Sequence, residues 1–109
     1  MSHYKETTAD DVYEQYQKLG AVHLIDVREV NEFNELRAPM SRNLPLSQLD
    51  DPKVIDSLGI KKDETIYLIC RSGKRSARAC EIFAGEGYQR LFNVSGGMLA
   101  WQAGLLPTQ

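Results

Sequence analysis

The stretch that decides the fold is Thr65–Ala79, TIYLICRSGKRSARA. Thr65, Ile66, Tyr67, Leu68 and Ile69 are β-branched, aromatic or aliphatic without alternation, the pattern of a strand buried on both faces. Cys70 follows, then Arg71, Ser72, Gly73, Lys74 and Arg75; from Ser76 the apolar spacing turns helical, with Ala79, Cys80 and Phe83 within one turn. A strand–loop–helix junction aims backbone N–H groups into the loop, and the helix dipole favours negative charge there. Four cations, Arg71, Lys74, Arg75 and Arg78, fall in the nine residues from Cys70 to Arg78 with no acid among them. Cations at a helix N-terminus oppose the dipole by roughly 0.3–1 kcal/mol each. That local cost makes sense if an anion belongs in the loop. A cysteine so placed is expected to have a lowered pKa and to be a nucleophilic thiolate at neutral pH. The competing reading is a buried structural cysteine followed by a solvated basic helix face.

The rest of the chain alternates strands and helices around this junction. Tyr4 marks a short first strand in a polar lead-in, Met1 to Thr7, where His3 reads as solvated. Thr8 reads as an N-cap with Asp10 and Asp11 in the first turn. The helix it opens runs to Leu19, with Val12, Tyr13, Tyr16 and Leu19 on one face, and Gly20 ends it. Ala21 to Val27 is a second buried strand, with His23 as a strand-surface or satisfied histidine. Glu29 to Leu36 is a short helix whose apolar positions are Val30, Phe33 and Leu36. Asn43 and Leu44 form a brief strand ended by Pro45, Leu46 to Asp51 a turn, and Pro52 to Leu58 a helix stopped by Gly59. The helix from Ser76 ends at Gly85 to Gly87, and Leu91 to Val94 is the last strand. Ser95, Gly96 and Gly97 form a turn into a helix over Met98 to Ala103, in which Met98 and Trp101 read as packing residues.

This alternation implies an α/β fold: a mainly parallel sheet of about five strands with helices on both faces. The ends of the strands finishing at Val27, Cys70 and Val94 should lie along one edge, where ligands bind in open α/β sheets. Asp26, Arg28, the Cys70 loop and the Gly96–Gly97 turn would then meet. Asp26 and Arg28 read either as a loop-anchoring carboxylate and a surface cation or, together, as support for the loop. Cys80 lies on the apolar face of its helix and reads as a small core residue, with a resolving thiol as the alternative.

Length and composition bound the alternatives. The 109 residues make one domain, 1–109, able to bury roughly 65% of its unfolded surface without disulfides or metal. A net charge of −2 argues against general nucleic-acid binding, so the basic cluster is a local feature of a slightly acidic molecule. No run of about 18 apolar residues suggests a membrane span. Two cysteines behind a polar N-terminus point to a reducing cytoplasm rather than a disulfide scaffold.

Three tests narrow the loop. A nucleotide-binding P-loop fails because Gly73-Lys74 is followed by Arg75 and position 68 is leucine. A dithiol redox site fails because the residue three after Cys70 is Gly73. A C-x5-R phosphatase needs arginine where this chain has Ser76; Arg75 comes one residue early, so the loop is one residue short of a phosphate cradle.

Beyond these tests, the chain resembles a single-domain rhodanese. The resemblance covers nearly its whole length: Leu24-Ile25-Asp26-Val27-Arg28-Glu29 with Glu32-Phe33, Arg42-Asn43-Leu44-Pro45-Leu46, the loop from Cys70 to Arg75, and Gly96-Gly97 with Trp101. The family's six-residue active-site loop matches Cys70 to Arg75; its longer-loop relatives are cell-cycle dual-specificity phosphatases and related arsenate reductases. The resemblance implies sulfur transfer. Cys70 would attack the outer sulfur of a small anionic donor such as thiosulfate and become a persulfide. A thiol or cyanide acceptor would then take that sulfur. Backbone N–H groups from Arg71 to Ser76, through Ser72 and Gly73, would hold the terminal sulfur, while Arg71, Lys74 and Arg75 draw the donor and stabilise leaving sulfite. No metal or organic cofactor is implied; a sulfur-relay protein is a further partner class, with Cys70 loaded by a desulfurase in a carrier role. Two departures from the family pattern stand out: Arg37-Ala38-Pro39-Met40-Ser41 replaces its His-Ile-Pro-Gly-Ala segment, and Ser72 stands where some thiosulfate-using members carry lysine.

Overall fold

The computed structural model describes residues 3–109; Met1 and Ser2, the start of the expected polar lead-in, lie outside them. Five strands form one sheet: β1 (Lys5–Thr7), β2 (His23–Asp26), β3 (Ser41–Asn43), β4 (Thr65–Ile69) and β5 (Arg90–Val94). Their order is β1-β5-β4-β2-β3 and every pairing is parallel. Five helices connect them: α1 (Ala9–Leu19), α2 (Val30–Glu35), α3 (Pro52–Asp56), α4 (Lys74–Gly85) and α5 (Gly97–Ala103), with a 3-10 turn over Leu46–Gln48. The α/β architecture with a parallel five-stranded sheet is the one the sequence implied.

The unbroken apolar run of β4 follows from its central position. Side chains alternate across a strand, so Ile66 and Leu68 enter one core with Ile25, Leu91, Ile55 and Phe83 beneath α3 and α4. Ile69 enters the other, with Leu24, Val94, Met98 and Trp101 beneath α1 and α5. Trp101 is fully buried, edge-on to Tyr13 at 6.2 Å, and its indole N–H donates to the Pro107 carbonyl.

Several sequence expectations shift on contact with packing. α4 begins at Lys74, two residues before the expected Ser76, because Gly73 takes the left-handed conformation (φ +105°) and turns the chain into the helix there. β2 is shorter than Ala21–Val27, and β3 is Ser41–Asn43 rather than Asn43–Leu44. Leu44 N–H still donates to Asp26 O, but Pro45 has no N–H with which to continue. Leu19, expected on the buried face of α1, is 70% exposed; α5, against which α1 packs, spans only seven residues. Val30 is also exposed, and no residue of α2 is fully buried. That helix is held by polar contacts instead: reciprocal capping between Glu29 and Glu32, and Arg28 Nη2 donating to Leu36 O. The Thr8 cap forms as expected, its hydroxyl accepting from Asp11 N–H.

Candidate active site

The candidate site is the loop from Cys70 to Gly73 at the C-terminal end of β4. Parallel pairing puts the ends of β2, β4 and β5 on one edge, and two contacts shape the loop there. Met98 N–H donates to Cys70 O and Leu99 N–H to Arg71 O, so the start of α5 holds the loop's first two carbonyls. This close approach requires Gly97: a Cβ there would stand 2.3 Å from Cys70 O and 2.6 Å from Arg71 O. The Gly96–Gly97 turn is thus a backbone necessity that fixes the loop.

Cys70 is 1% exposed, and its sulfur lies inside a ring of donors. Gly73 N–H reaches Sγ at 3.0 Å, and Ser76 Oγ lies at 3.3 Å. Burial pushes the thiol up. The Ser76 side chain and the backbone N–H groups of Ser76, Gly73 and Ser72 outweigh it, and the net direction is down from the ordinary thiol value. Two of the donors lie in the left-handed turn and the first residues of the helix, as the strand–loop–helix reading requires.

Arg71, Ser72 and Lys74 are exposed at the rim, and Arg71, Lys74 and Arg78 have no ion-pair partner among the described residues. Arg75 differs: its Nη1 and Nη2 donate to the two Glu32 oxygens at 2.6 and 2.9 Å. This bidentate pair holds the Glu32 carboxyl down at about 2 and raises the Arg75 guanidinium. One of the four clustered cations is therefore already neutralised by α2.

Asp26 and Arg28 do come to this edge, as partners of one another; Arg28 is not a surface cation but is buried, because the Asp26 carboxylate pairs with it. Asp26 is fully buried; Arg28 Nη2 donates to its Oδ2 at 2.7 Å, and Arg28 Nε and N–H both reach Oδ1 at 3.0 Å. Arg28 also ties down Leu36 O, and Asn43 Nδ2 donates to Asp26 O and Arg28 O. The pair anchors the chain leaving β2 and makes no hydrogen bond to the sulfur among the described residues. The divergent segment Arg37–Ser41 is fastened through reciprocal backbone bonds between Arg37 and Gln109 and by Ala38, which is fully buried. A groove of about 800 Å³ between Tyr4, Lys5 and Tyr88 lies at the opposite end of β5 and includes no loop residue.

Cys80, one helix face away, is fully buried, and burial pushes its thiol up to about 12, with Glu6 and Glu81 adding to the effect. It is a core residue, as the helix pattern suggested. His3 is exposed, and His23 pairs with Glu64 on the sheet surface.

The sequence reading missed three residues that reach the site: Glu32, Asn93 and Glu6. Asn93 is 4% exposed; its Oδ1 faces Ser76 Oγ, and its Nδ2 donates to Gly73 O. A polar side chain in the otherwise apolar strand LFNV was the available signal, since a buried amide needs partners.

Residues 8–104 match the family model described as a rhodanese-like domain. The uncharacterized protein YqhL of Bacillus subtilis is 36% identical over 97 residues, covering 89% of this chain and 71% of that protein. A protein named sulfurtransferase from Allochromatium vinosum is 35% identical over 86 residues, covering 79% of this chain and 77% of its own length. Of two further curated relatives, the chain spans 23% of one and 95% of the other. Among solved structures, a rhodanese-related protein from Thermoplasma volcanium superposes with a TM-score of 0.80 at 30% identity, covering 97% of this chain and 98% of that one.

Proposed function

We propose, from the premise that the chain belongs to the rhodanese-like domain family, that it is a sulfurtransferase working through a Cys70 persulfide. The observation that supports this most is the Cys70 sulfur itself, enclosed by donors that together bring its thiol down despite burial. The Cys70 thiolate attacks the outer sulfur of a small anionic donor such as thiosulfate. A new S–S bond forms, the donor's S–S bond breaks, and its electron pair leaves with sulfite. A thiol or cyanide then attacks the outer sulfur of the persulfide and returns the Cys70 thiolate, which gives ping-pong kinetics. The loop N–H groups that face Sγ are placed to share the charge of the terminal sulfur. Arg71 and Lys74, unpaired at the rim, draw the anionic donor; Arg75 contributes a field already tempered by Glu32. The balance needs no metal or organic cofactor. A reducing compartment such as the cytoplasm would keep both cysteines, which are free here, in the thiol state.

A relay role with a protein donor is the second reading. It is favoured by the exposed Arg71, Lys74 and Arg78, which have no ion-pair partner among the described residues and would suit an acidic partner surface. Intact-protein mass spectrometry after brief exposure to thiosulfate separates the two. A gain of one sulfur atom (~32 Da) on the activated thiolate, reversed by cyanide and absent in Cys70→Ser, is the expected result. No gain from thiosulfate, but loading from a protein persulfide, would favour the relay; no gain from either would overturn both.

A further inference from the structure

Ser76 has one hydroxyl proton and two neighbours that want it. Its Oγ lies 2.5 Å from Asn93 Oδ1 and 3.3 Å from Cys70 Sγ. The orientation of the Asn93 amide is not free. Its Nδ2 faces three acceptors, Gly73 O at 3.1 Å and the Glu6 carboxylate oxygens at 3.1 and 3.2 Å. A flipped amide would press Oδ1 against a carbonyl and a carboxylate, so Oδ1 must be the atom facing Ser76. An amide oxygen carries no hydrogen, and two facing acceptor oxygens at that distance need a proton between them. The Ser76 proton therefore points at Asn93 while Cys70 is a thiol, and a Ser76 lone pair faces the sulfur.

Sheet register builds this arrangement. Glu6 of β1 is the Cα partner of Asn93 of β5, so their side chains share the face that α4 covers. Ser95 Oγ donates to Glu6 Oε1 at 2.7 Å and holds the carboxylate in place. A carboxylate beside the amide N–H₂ polarises it and makes Oδ1 a better acceptor.

We propose that Asn93, held and polarised by Glu6, is a positioning residue that competes with Cys70 for the Ser76 proton and so sets how readily the sulfur ionises. When the Cys70 proton leaves to solvent or a base, the Ser76 hydroxyl rotates from Oδ1 to Sγ. The thiolate gains a donor and the Ser76–Asn93 bond is lost. Ser76 thus stabilises the thiolate at the cost of that bond, and the charge on Glu6 raises the cost.

Other charged groups surround both ends of this chain of contacts. Arg75 of α4 is paired to Glu32 of α2 and interacts electrostatically with Cys70 and with Asp26 of β2. Arg71 lies in the loop itself and Lys74 is the first residue of α4. Around Glu6 stand Tyr4, just before β1, whose hydroxyl is pushed up by desolvation first and by Glu6 second, and Cys80 and Glu81 of α4. The test must therefore separate transmission through Ser76 from a direct effect of the Glu6 charge.

A double-mutant cycle does so. The second-order rate of Cys70 alkylation by iodoacetamide, located by peptide mass spectrometry, is followed against pH in wild type, Glu6→Gln, Ser76→Ala and the double variant. Glutamine keeps an acceptor for Asn93 and Ser95 but removes the charge. Glu6→Gln should move the profile to lower pH, with alkylation about threefold faster on its rising limb. Ser76→Ala should move it to higher pH, and in that background Glu6→Gln should change nothing. No shift in Glu6→Gln, or the same shift with and without Ser76, would overturn the proposal. Asn93→Ala frees the Ser76 proton altogether; if it folds, it should shift the profile further down, and an upward shift would count against the idea. If it does not fold, the Glu6 cycle decides. The inference rests on Cys70 being the nucleophile of the proposed sulfur transfer, but alkylation reports the thiolate whether or not the protein moves sulfur, so the two readings fail separately.

Discussion

Cys70 and Cys80 sit ten residues apart, in or beside the same helix, and both are shielded from water, at 1% and 0% exposure. Burial pushes each thiol up. Only at Cys70 is that push reversed, by hydroxyl and backbone donors aimed at the sulfur; Cys80 faces apolar side chains with Glu6 and Glu81 nearby and is driven to about 12. The difference shows that a buried thiol is brought down here where N–H groups lack other partners. At a helix start the first N–H groups are unsatisfied and available to an anion. Midway along the helix they are bonded to carbonyls, and a sulfur there finds no backbone donor to offset its burial.

The largest expected effect breaks the comparison outright. Cys70→Ala should abolish persulfide formation while leaving thermal unfolding close to wild type, whereas Cys80→Ala should keep most turnover. The cost at Cys80 should appear as stability, about 1 kcal/mol for a small cavity in a packed core. Steady-state sulfur transfer and thermal melts on both variants check it; a Cys70→Ala protein that still turns over would remove Cys70 from the chemistry.

Next in size is the contrast in thiolate population. A thiol at about 12 is ionised at neutral pH to about one part in 10⁵, so native protein treated with iodoacetamide should take up one label, at Cys70. The second should enter only on unfolding. Labelling of Cys80 in the folded protein at a comparable rate would mean that the two sulfurs are less different than their surroundings indicate.

A third prediction acts on one cysteine through the backbone. Gly97→Ala puts a Cβ 2.3 Å from Cys70 O, so the loop or the start of α5 must move. A misplacement of about 1 Å in a catalytic group can cost about 10²-fold in rate, and a loss of that order is expected. The displaced donors should also slow Cys70 alkylation at neutral pH, while Cys80 stays protected. Unchanged activity in a folded Gly97→Ala protein would show that the α5 contact does not set the loop.

The two cysteines also mark how far the sequence could be read. The strand into Cys70 was legible because a both-faces-buried strand has no polar alternation, and Cys80 was legible from helical spacing with Ala79 and Phe83. The parallel sheet followed from the order of elements. Less legible were features that depend on partners distant in the chain. Arg75 read as a free cation because nothing local shows that Glu32, 43 residues earlier, meets it. Leu19 and Val30 looked like core because their spacing was apolar, but the extent of the covering elements is a tertiary fact. Glu6 and Asn93 meet only through strand register, which the sequence does not display.

The smallest expected effect concerns the link between α2 and the end of α4 beside Cys70. Arg75 holds the Glu32 carboxyl at about 2, against an ordinary value of 4.5. An acid whose folded value is depressed adds stability that is present above its unfolded value and lost as pH falls through the folded one. The Glu32–Arg75 contribution should therefore be full above pH 4.5 and disappear towards pH 2. The two side chains are 28% and 35% exposed, so solvent screening reduces the contribution to about 1 kcal/mol. Glu32→Gln should accordingly unfold more easily than wild type at pH 7 by about that much, with the gap closing in acid. Chemical denaturation of both proteins at several pH values measures it. A gap that persists at pH 2 would mean that the loss came from the Glu29–Glu32 cap rather than from the ion pair, because the glutamine also alters the cap and does so at every pH. A gap that closes would place the ion pair, and not the packing of a helix with no fully buried residue, as what holds α2 beside the Cys70 loop.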